Sequence, residues 1–205
     1  IILEPISADI PDNTDIESDG YIYDMYSENP FGTDSYNFTY GANQCGVYST
    51  EGDCYNREHS FPKSWWGGST TEPMYTDIHH IVPTDGKVNY YRSNYVYGET
   101  DFPTITSANG SKLGSGNAGL GYVGTVFEPI DEYKGDFARI YFYMATRYED
   151  VIATWPGSAM LSGTSDTVFS TWALNMLIDW HNNDPVSQKE INRNDSIYYG
   201  IQYNR

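Results

Sequence analysis

Apolar positions fall into three regimes along the chain. Between Asp136 and Asp150, Phe137, Ile140, Tyr141, Met144, Ala145 and Tyr148 recur at i, i+3, i+4, i+7, i+8 and i+11, the spacing of one helical face. From about Asp166 to Asn182, Phe169, Trp172, Ala173, Met176, Leu177 and Trp180 repeat it. Both stripes predict helices that bury their aromatic side in a core. Asp184-Pro185 reads as an N-cap and first helical residue, opening a third helix that carries Ile191, Ile197 and Tyr198.

Short apolar runs mark the second regime. Tyr21–Tyr26 (YIYDMY), Glu58–Phe61 and Asp77–Val82 (DIHHIV) read as strands, the last two stopped by Pro62 and Pro83. Thr84 or Asp85 is then placed to cap a helix running to about Tyr95. The third regime has no period. Residues 1–19 are acidic and irregular, residues 28–56 are rich in turn pairs, and residues 99–125 hold Gly110, Gly114, Gly116, Gly119, Gly121 and Gly124. Neither GxGxxG before a helix nor GxxxxGK[ST] occurs there, so a long surface loop or hairpin is expected rather than a phosphate cradle. With 205 residues, no repeat and no dividing linker, the chain reads as a single α+β domain over 1–205.

No apolar run approaches the roughly 18–20 residues of a membrane span. The N-terminus IILEPISADIPDNTD has no basic start and no continuous apolar core, so it does not read as a signal peptide. Net charge is -17, the wrong sign for a phosphate-binding protein, but its distribution changes the picture. Residues 1–56 hold eleven acids and no Lys or Arg, while residues 57–95 hold four acids and four bases. That central stretch is a neutral island that a bound divalent cation would make locally positive. The surrounding acidity reads as a solubility device or adaptation to a salty medium. Cys45 and Cys54 stand nine positions apart in a loop-like sequence without CxxC spacing. They predict a short-loop disulfide and an oxidising compartment.

The island carries the candidate chemistry. Hydrolysis of a phosphodiester needs a base for water, a cation to offset charge on the phosphate and the leaving oxygen, and donors that place the phosphate. His59 suits the base. Glu58 and the amide oxygen of Asn89, with water, suit magnesium. Arg92, three residues after Asn89, would share its helical face and reach a phosphate. Glu58 and His59 are neighbours, however, and on a regular strand they point to opposite faces. Three other readings stand beside this one. His59, His79 and His80 could be zinc ligands, although no HExxH or CxxC accompanies them. Asp15, Glu17, Asp19 and Gly20 match the start of an EF-hand loop whose twelfth position, Tyr26, cannot supply the bidentate carboxylate. An acidic, Tyr-rich extracellular module that binds calcium or carbohydrate without catalysis is the third.

Four blocks in register, REHSFPKSWW, DIHHIVPTDGKVNYYRSN, VFEPIDEYKGDFARIYFYMATRY and LIDWHNNDPVSQKEINRND, resemble the bacterial endonuclease I family of His-Me finger nucleases. The resemblance implies a ββα-metal core with supporting helices and long loops. It implies Glu58 and Asn89 as metal ligands, His59 as general base and Arg92 as a phosphate or site arginine. Arg57, Lys63 and Lys87 are the substrate-binding candidates. It further implies a secreted or periplasmic, monomeric enzyme that uses Mg2+, with Ca2+ or Mn2+ as substitutes. Such an enzyme cleaves DNA, and RNA in many members, with little sequence preference and leaves 5′-phosphate ends. The chain departs from familiar members in its two cysteines and in a pI near 4.3.

Overall fold

The structure is a computed structural model that describes residues 15–68, 70 and 72–202. The N-terminal signal-peptide reading and most of the acidic segment 1–19 lie outside them. The chain first forms an antiparallel pair, β1 (Tyr55–His59) and β2 (Ile81–Asp85), in which Glu58 faces Val82 and His59 faces Ile81. Helix α1 (Gly86–Arg92) follows with no intervening loop. The expected order of strand, loop, strand and helix is present, with shifted boundaries. Pro83 does not stop β2 but sits inside it opposite Arg57. A two-stranded sheet has only edge strands, where a residue without an N–H is tolerated. Asp85 caps α1 by accepting the Val88 N–H at 2.8 Å. The helix ends three residues short of Tyr95 because Ser93 takes φ +51° and turns the chain.

A second sheet runs in the order β3 (Val96–Tyr97), β6 (Thr125–Glu128), β5 (Lys112–Ser115), β4 (Phe102–Thr106), with β3 parallel to β6 and the other pairs antiparallel. The glycine-rich region is thus a hairpin plus a returning strand. Gly114 has no room for a side chain, because a Cβ there would lie 2.6 Å from the Phe102 carbonyl oxygen.

The two periodic stretches form α2 (Lys134–Arg147) and α4 (Thr171–Asn183), with a short α3 (Glu149–Ile152) between them. Phe137, Tyr141 and Met144 of α2 are buried with Ala173, Met176, Leu177 and Trp180 of α4. Helix α5 (Gln188–Gly200) starts later than Asp184-Pro185 indicates. Ser187 and Glu190 close a capping box there, while Asp184 ends α4 and accepts the Gly135 N–H at 2.8 Å. Tyr21–Tyr26 is not a strand: Tyr21 and Ile22 make isolated bridges to Thr39 and Ile16, and a turn follows. Among the described residues no helix is long and apolar enough to cross a membrane.

Candidate active site

β1, the turn after it and α1 enclose a cleft of about 800 Å³. Its lining includes Arg57, Glu58, His59, Lys63, Asn89 and the rim residues Gln44–Gly46. Cys45 on that rim is bridged to Cys54, with Cα atoms 5.8 Å apart, as the cysteine spacing predicts. Glu58 and His59 therefore serve one cleft despite being neighbours. His59 is the last residue of β1, and its strand pairing ends with Ile81. At a strand end, strict alternation no longer fixes where the side chain points.

Glu58 is buried, and Tyr26 donates its hydroxyl to Glu58 Oε1 at 3.2 Å. Arg92 Nη1 lies 3.2 Å from the same oxygen. Burial pushes the Glu58 carboxyl up, opposed by the Arg92 charge and then by the Tyr26 bond. Arg92 is wholly enclosed and donates Nη2 to the Ser60 carbonyl at 2.5 Å and to Tyr141 Oη at 3.2 Å. Its guanidinium also stacks 4.8 Å from the Tyr97 ring centre. Burial opposes its charge, but Glu58 together with Tyr97, Tyr141 and Tyr26 outweighs burial and pushes the guanidinium pKa up.

Of the two expectations for Arg92, phosphate contact or site structure, its enclosure and its absence from the cleft lining speak against the first and fit the second. Asn89 and Ser93, one turn apart, face the cleft, whereas Val88 and Arg92, also one turn apart, face the core. Spacing of i+3 leaves residues 89 and 92 about 60° apart around the axis, enough to separate the two environments.

His59 is partly buried, stacks on Tyr75 at 5.2 Å and donates Nε2–H to the Tyr75 carbonyl at 3.0 Å. A carbonyl can only accept, so Nε2 carries the proton and Nδ1 keeps its lone pair. Burial, helped by His80, pushes the imidazole down to about 3 against the pull of that carbonyl. Asn89 donates Nδ2 to Asn56 Oδ1 at 2.7 Å and to the Arg57 carbonyl at 3.4 Å. Its nitrogen is committed, its oxygen is the atom left for a ligand, and the contact sets it beside the residue preceding Glu58.

His80 is fully buried, bonded through Nε2 to the Met74 carbonyl at 2.7 Å and pushed down to about 4 by burial. Its place is structural, inside the core beside Trp66. His79 is buried against Tyr143, ring centres 4.4 Å apart. The three histidines do not converge as metal ligands. Among the described residues, the only group of three or more His, Cys, Asp or Glu side chains close enough to share an ion is Glu17, Glu28 and Asp34. Nor is an EF-hand formed: Asp15 pairs with Arg193 at 2.9 Å, and Tyr26 points to Glu58. Of the basic candidates, Arg57 and Lys63 are exposed and line the cleft. Lys87 stands outside it, 5.0 Å above the Tyr90 ring. A second cavity of about 530 Å³ beside α2 and α5 is lined by charges engaged with one another, Arg139 with Glu190 at 2.5 Å and Asp136 at 2.8 Å. His79, packed against Tyr143, also lines it.

Sequence reasoning missed Tyr26, Ser60, Tyr75, Tyr97 and Tyr141. Each acts through a contact between segments far apart in the chain, and among twenty tyrosines no local signal separates these.

The donor set around the cleft is carboxylate and amide oxygen, with both cysteines bridged, which fits a hard, largely hydrated cation better than zinc. Residues 7–205 match the family model described as Endonuclease I. The chain is 38% identical over 162 residues to an extracellular ribonuclease of Bacillus amyloliquefaciens, covering 74% of this chain and 49% of that protein. It is 36% identical over 160 residues to an extracellular ribonuclease of Bacillus subtilis (strain 168), again covering 74% and 49%. An Endonuclease-1 of Buchnera aphidicola subsp. Baizongia pistaciae is 38% identical over 73 residues, 36% of this chain and 28% of that protein. The chain thus spans about half the length of the two Bacillus relatives.

Proposed function

We propose, from the premise that this chain belongs to the endonuclease I family, that its cleft is the active centre of a secreted, metal-dependent endonuclease. The enzyme hydrolyses phosphodiester bonds of DNA and RNA with little sequence preference. One observation carries the reading: Glu58 and His59 at the end of β1 and Asn89 on α1 line one cleft, with His59 Nδ1 and Asn89 Oδ1 left uncommitted by the bonds that fix each side chain. β1, β2 and α1 then act as a ββα-metal unit.

In this reading Glu58 and Asn89 hold a Mg2+-type ion, for which Mn2+ or Ca2+ can substitute. The bound ion would offset negative charge on the phosphate and on the departing 3′-oxygen. His59 Nδ1 accepts a proton from water while the Tyr75 carbonyl holds the ring through Nε2. The hydroxyl oxygen bonds to phosphorus, the bond to the 3′-oxygen breaks, and a 5′-phosphate remains. An anionic phosphate beside His59 draws its pKa back upward, which suits a ring otherwise held neutral. Arg57 and Lys63 meet the substrate backbone, and Arg92 fixes Glu58 from behind. RNA stands beside DNA because the Bacillus relatives are named ribonucleases.

The test is nicking of supercoiled plasmid and cleavage of a folded RNA, with Mg2+ and with EDTA, by the parent and by His59→Ala. We expect EDTA to abolish both activities and His59→Ala to slow them roughly 10²- to 10⁴-fold. A His59→Ala protein that nicks at the parental rate would end this reading. Cleavage of only one of the two polymers would narrow the substrate.

A further inference from the structure

The segment Asp24–Ser27 lies outside the ββα unit and precedes β1 in the chain, yet it touches both elements that carry the proposed ligands. Tyr26 is fully buried, its ring tilted against Phe127 at 4.9 Å and Phe137 at 5.7 Å. Its hydroxyl reaches Glu58 Oε1 at 3.2 Å and Tyr97 Oη at 2.8 Å, and Tyr97 Oη in turn lies 3.2 Å from Ser60 Oγ. Both fixed contacts on the Glu58 carboxylate, from Tyr26 and from Arg92, fall on that one oxygen.

Two residues earlier, Asp24 is buried and accepts the Asp85 backbone N–H on Oδ2 at 2.8 Å. Asp85 caps α1, the helix that carries Asn89. Asp24 also binds its own segment, taking the Tyr26 N–H on Oδ1 at 2.9 Å and the Ser27 hydroxyl on Oδ2 at 2.5 Å. Four consecutive residues therefore tie the carboxylate on β1 to the first turn of α1.

We propose that Asp24–Ser27 is a positioning clip for the cation site: Tyr26 orients Glu58, and Asp24 sets the start of α1 and through it Asn89. The inference rests on the reading of Glu58 and Asn89 as cation ligands. It goes beyond that reading by giving two residues of the N-terminal part of the chain a role in metal affinity. Two rigid contacts on Oε1 leave one carboxylate oxygen to meet the ion without a search over side-chain rotamers. Partners that orient a metal ligand in this way typically set affinity or activity by about 10- to 100-fold.

The experiment is Mn2+ binding to the full chain, followed by electron paramagnetic resonance, with thermal unfolding measured on the same samples. Glu58→Gln identifies which Mn2+ is bound in the cleft, as opposed to ions held by other acidic groups. Tyr26→Phe removes one hydroxyl and keeps the ring, and Asp24→Asn keeps the shape and weakens the acceptor. We expect Tyr26→Phe to weaken the Glu58-dependent Mn2+ about tenfold or more, Asp24→Asn to weaken it less, and both to lower kcat. Tyr23→Phe, immediately before the segment and packed edge-on against Tyr133 at 5.8 Å, should leave that affinity unchanged. If Glu58→Gln loses the ion while Tyr26→Phe and Asp24→Asn bind it as the parent does, with only unfolding temperatures altered, the clip is overturned. If Glu58→Gln itself binds and cleaves normally, the ligand assignment beneath it has failed instead.

Discussion

Two groups of buried or half-buried carboxylates in this molecule are handled in opposite ways. Glu58 has a guanidinium at 3.2 Å and a tyrosine hydroxyl on the same oxygen. Glu17, Glu28 and Asp34 face one another with ligand oxygens within 4.8 Å. Burial, then the bond and charge of Glu28 and the charges of Asp19 and Asp34, push Glu17 up to about 9. In the first arrangement a counter-charge opposes the upward push of burial on the carboxyl. The second relieves like-charge repulsion by keeping a proton. Net acidity does not distinguish them; local partners do.

The largest effect that would sharpen this contrast is on catalysis. Glu58→Gln should slow plasmid nicking by roughly 100-fold or more, while Glu17→Gln should leave it near parental. Equal losses would erase the functional difference between the two groups. Next is stability. Arg92→Met strands the Glu58 charge and should lower unfolding free energy in urea by about 3–5 kcal/mol. The double variant Arg92→Met/Glu58→Gln should recover part of that loss, since no buried charge is then left unpaired.

The Glu17 group makes the opposite prediction through pH. Its carboxyl has a folded pKa of about 9 against an ordinary 4.5. Between those values the folded chain keeps a proton that the unfolded chain has released. Stability therefore falls as pH rises across that window, and is unaffected by this group below it. In EDTA, the parental melting temperature should decline from pH 5 to 9, and Glu17→Gln should flatten the decline. A parental slope retained in Glu17→Gln would show that the proton is held elsewhere. The smallest expected effect separates two lysines. Lys63→Ala, at the cleft, should raise KM for DNA several-fold at low salt, and Lys87→Ala, stacked on Tyr90, should change it less.

Much of this was legible in the residues. The 3.6-residue period marked α2 and α4 because burial of one face writes a local pattern. The order of strand, strand and helix, the cap at Asp85 and the Cys45–Cys54 bridge all came from short-range chemistry. What could not be read was pairing across the chain. Whether Arg92 meets a phosphate or supports the site is not legible, because spacing assigns residues to a helical face but does not say which neighbour covers it. Pro83 was expected to end β2 because the rule against proline in strands assumes partners on both sides. Asp184-Pro185 was outcompeted by the Ser187–Glu190 box, a two-sided bond set that one residue type does not announce. Tyr26 had no local mark, since its role depends on a carboxylate thirty-two positions away.

The enclosure of Arg92 has a consequence for the order in which the cleft is assembled. Its guanidinium rests on Ser60, Tyr97 and Tyr141, and Tyr141 belongs to a helix that is made only after two-thirds of the chain. A nascent chain that already contains Glu58, His59 and Asn89 still lacks the floor that presses Arg92 against Glu58. Glu58, His59 and Asn89 are thus present well before the contacts around Arg92 can form. The completed fold, rather than the completed motif, is what holds Arg92 against Glu58.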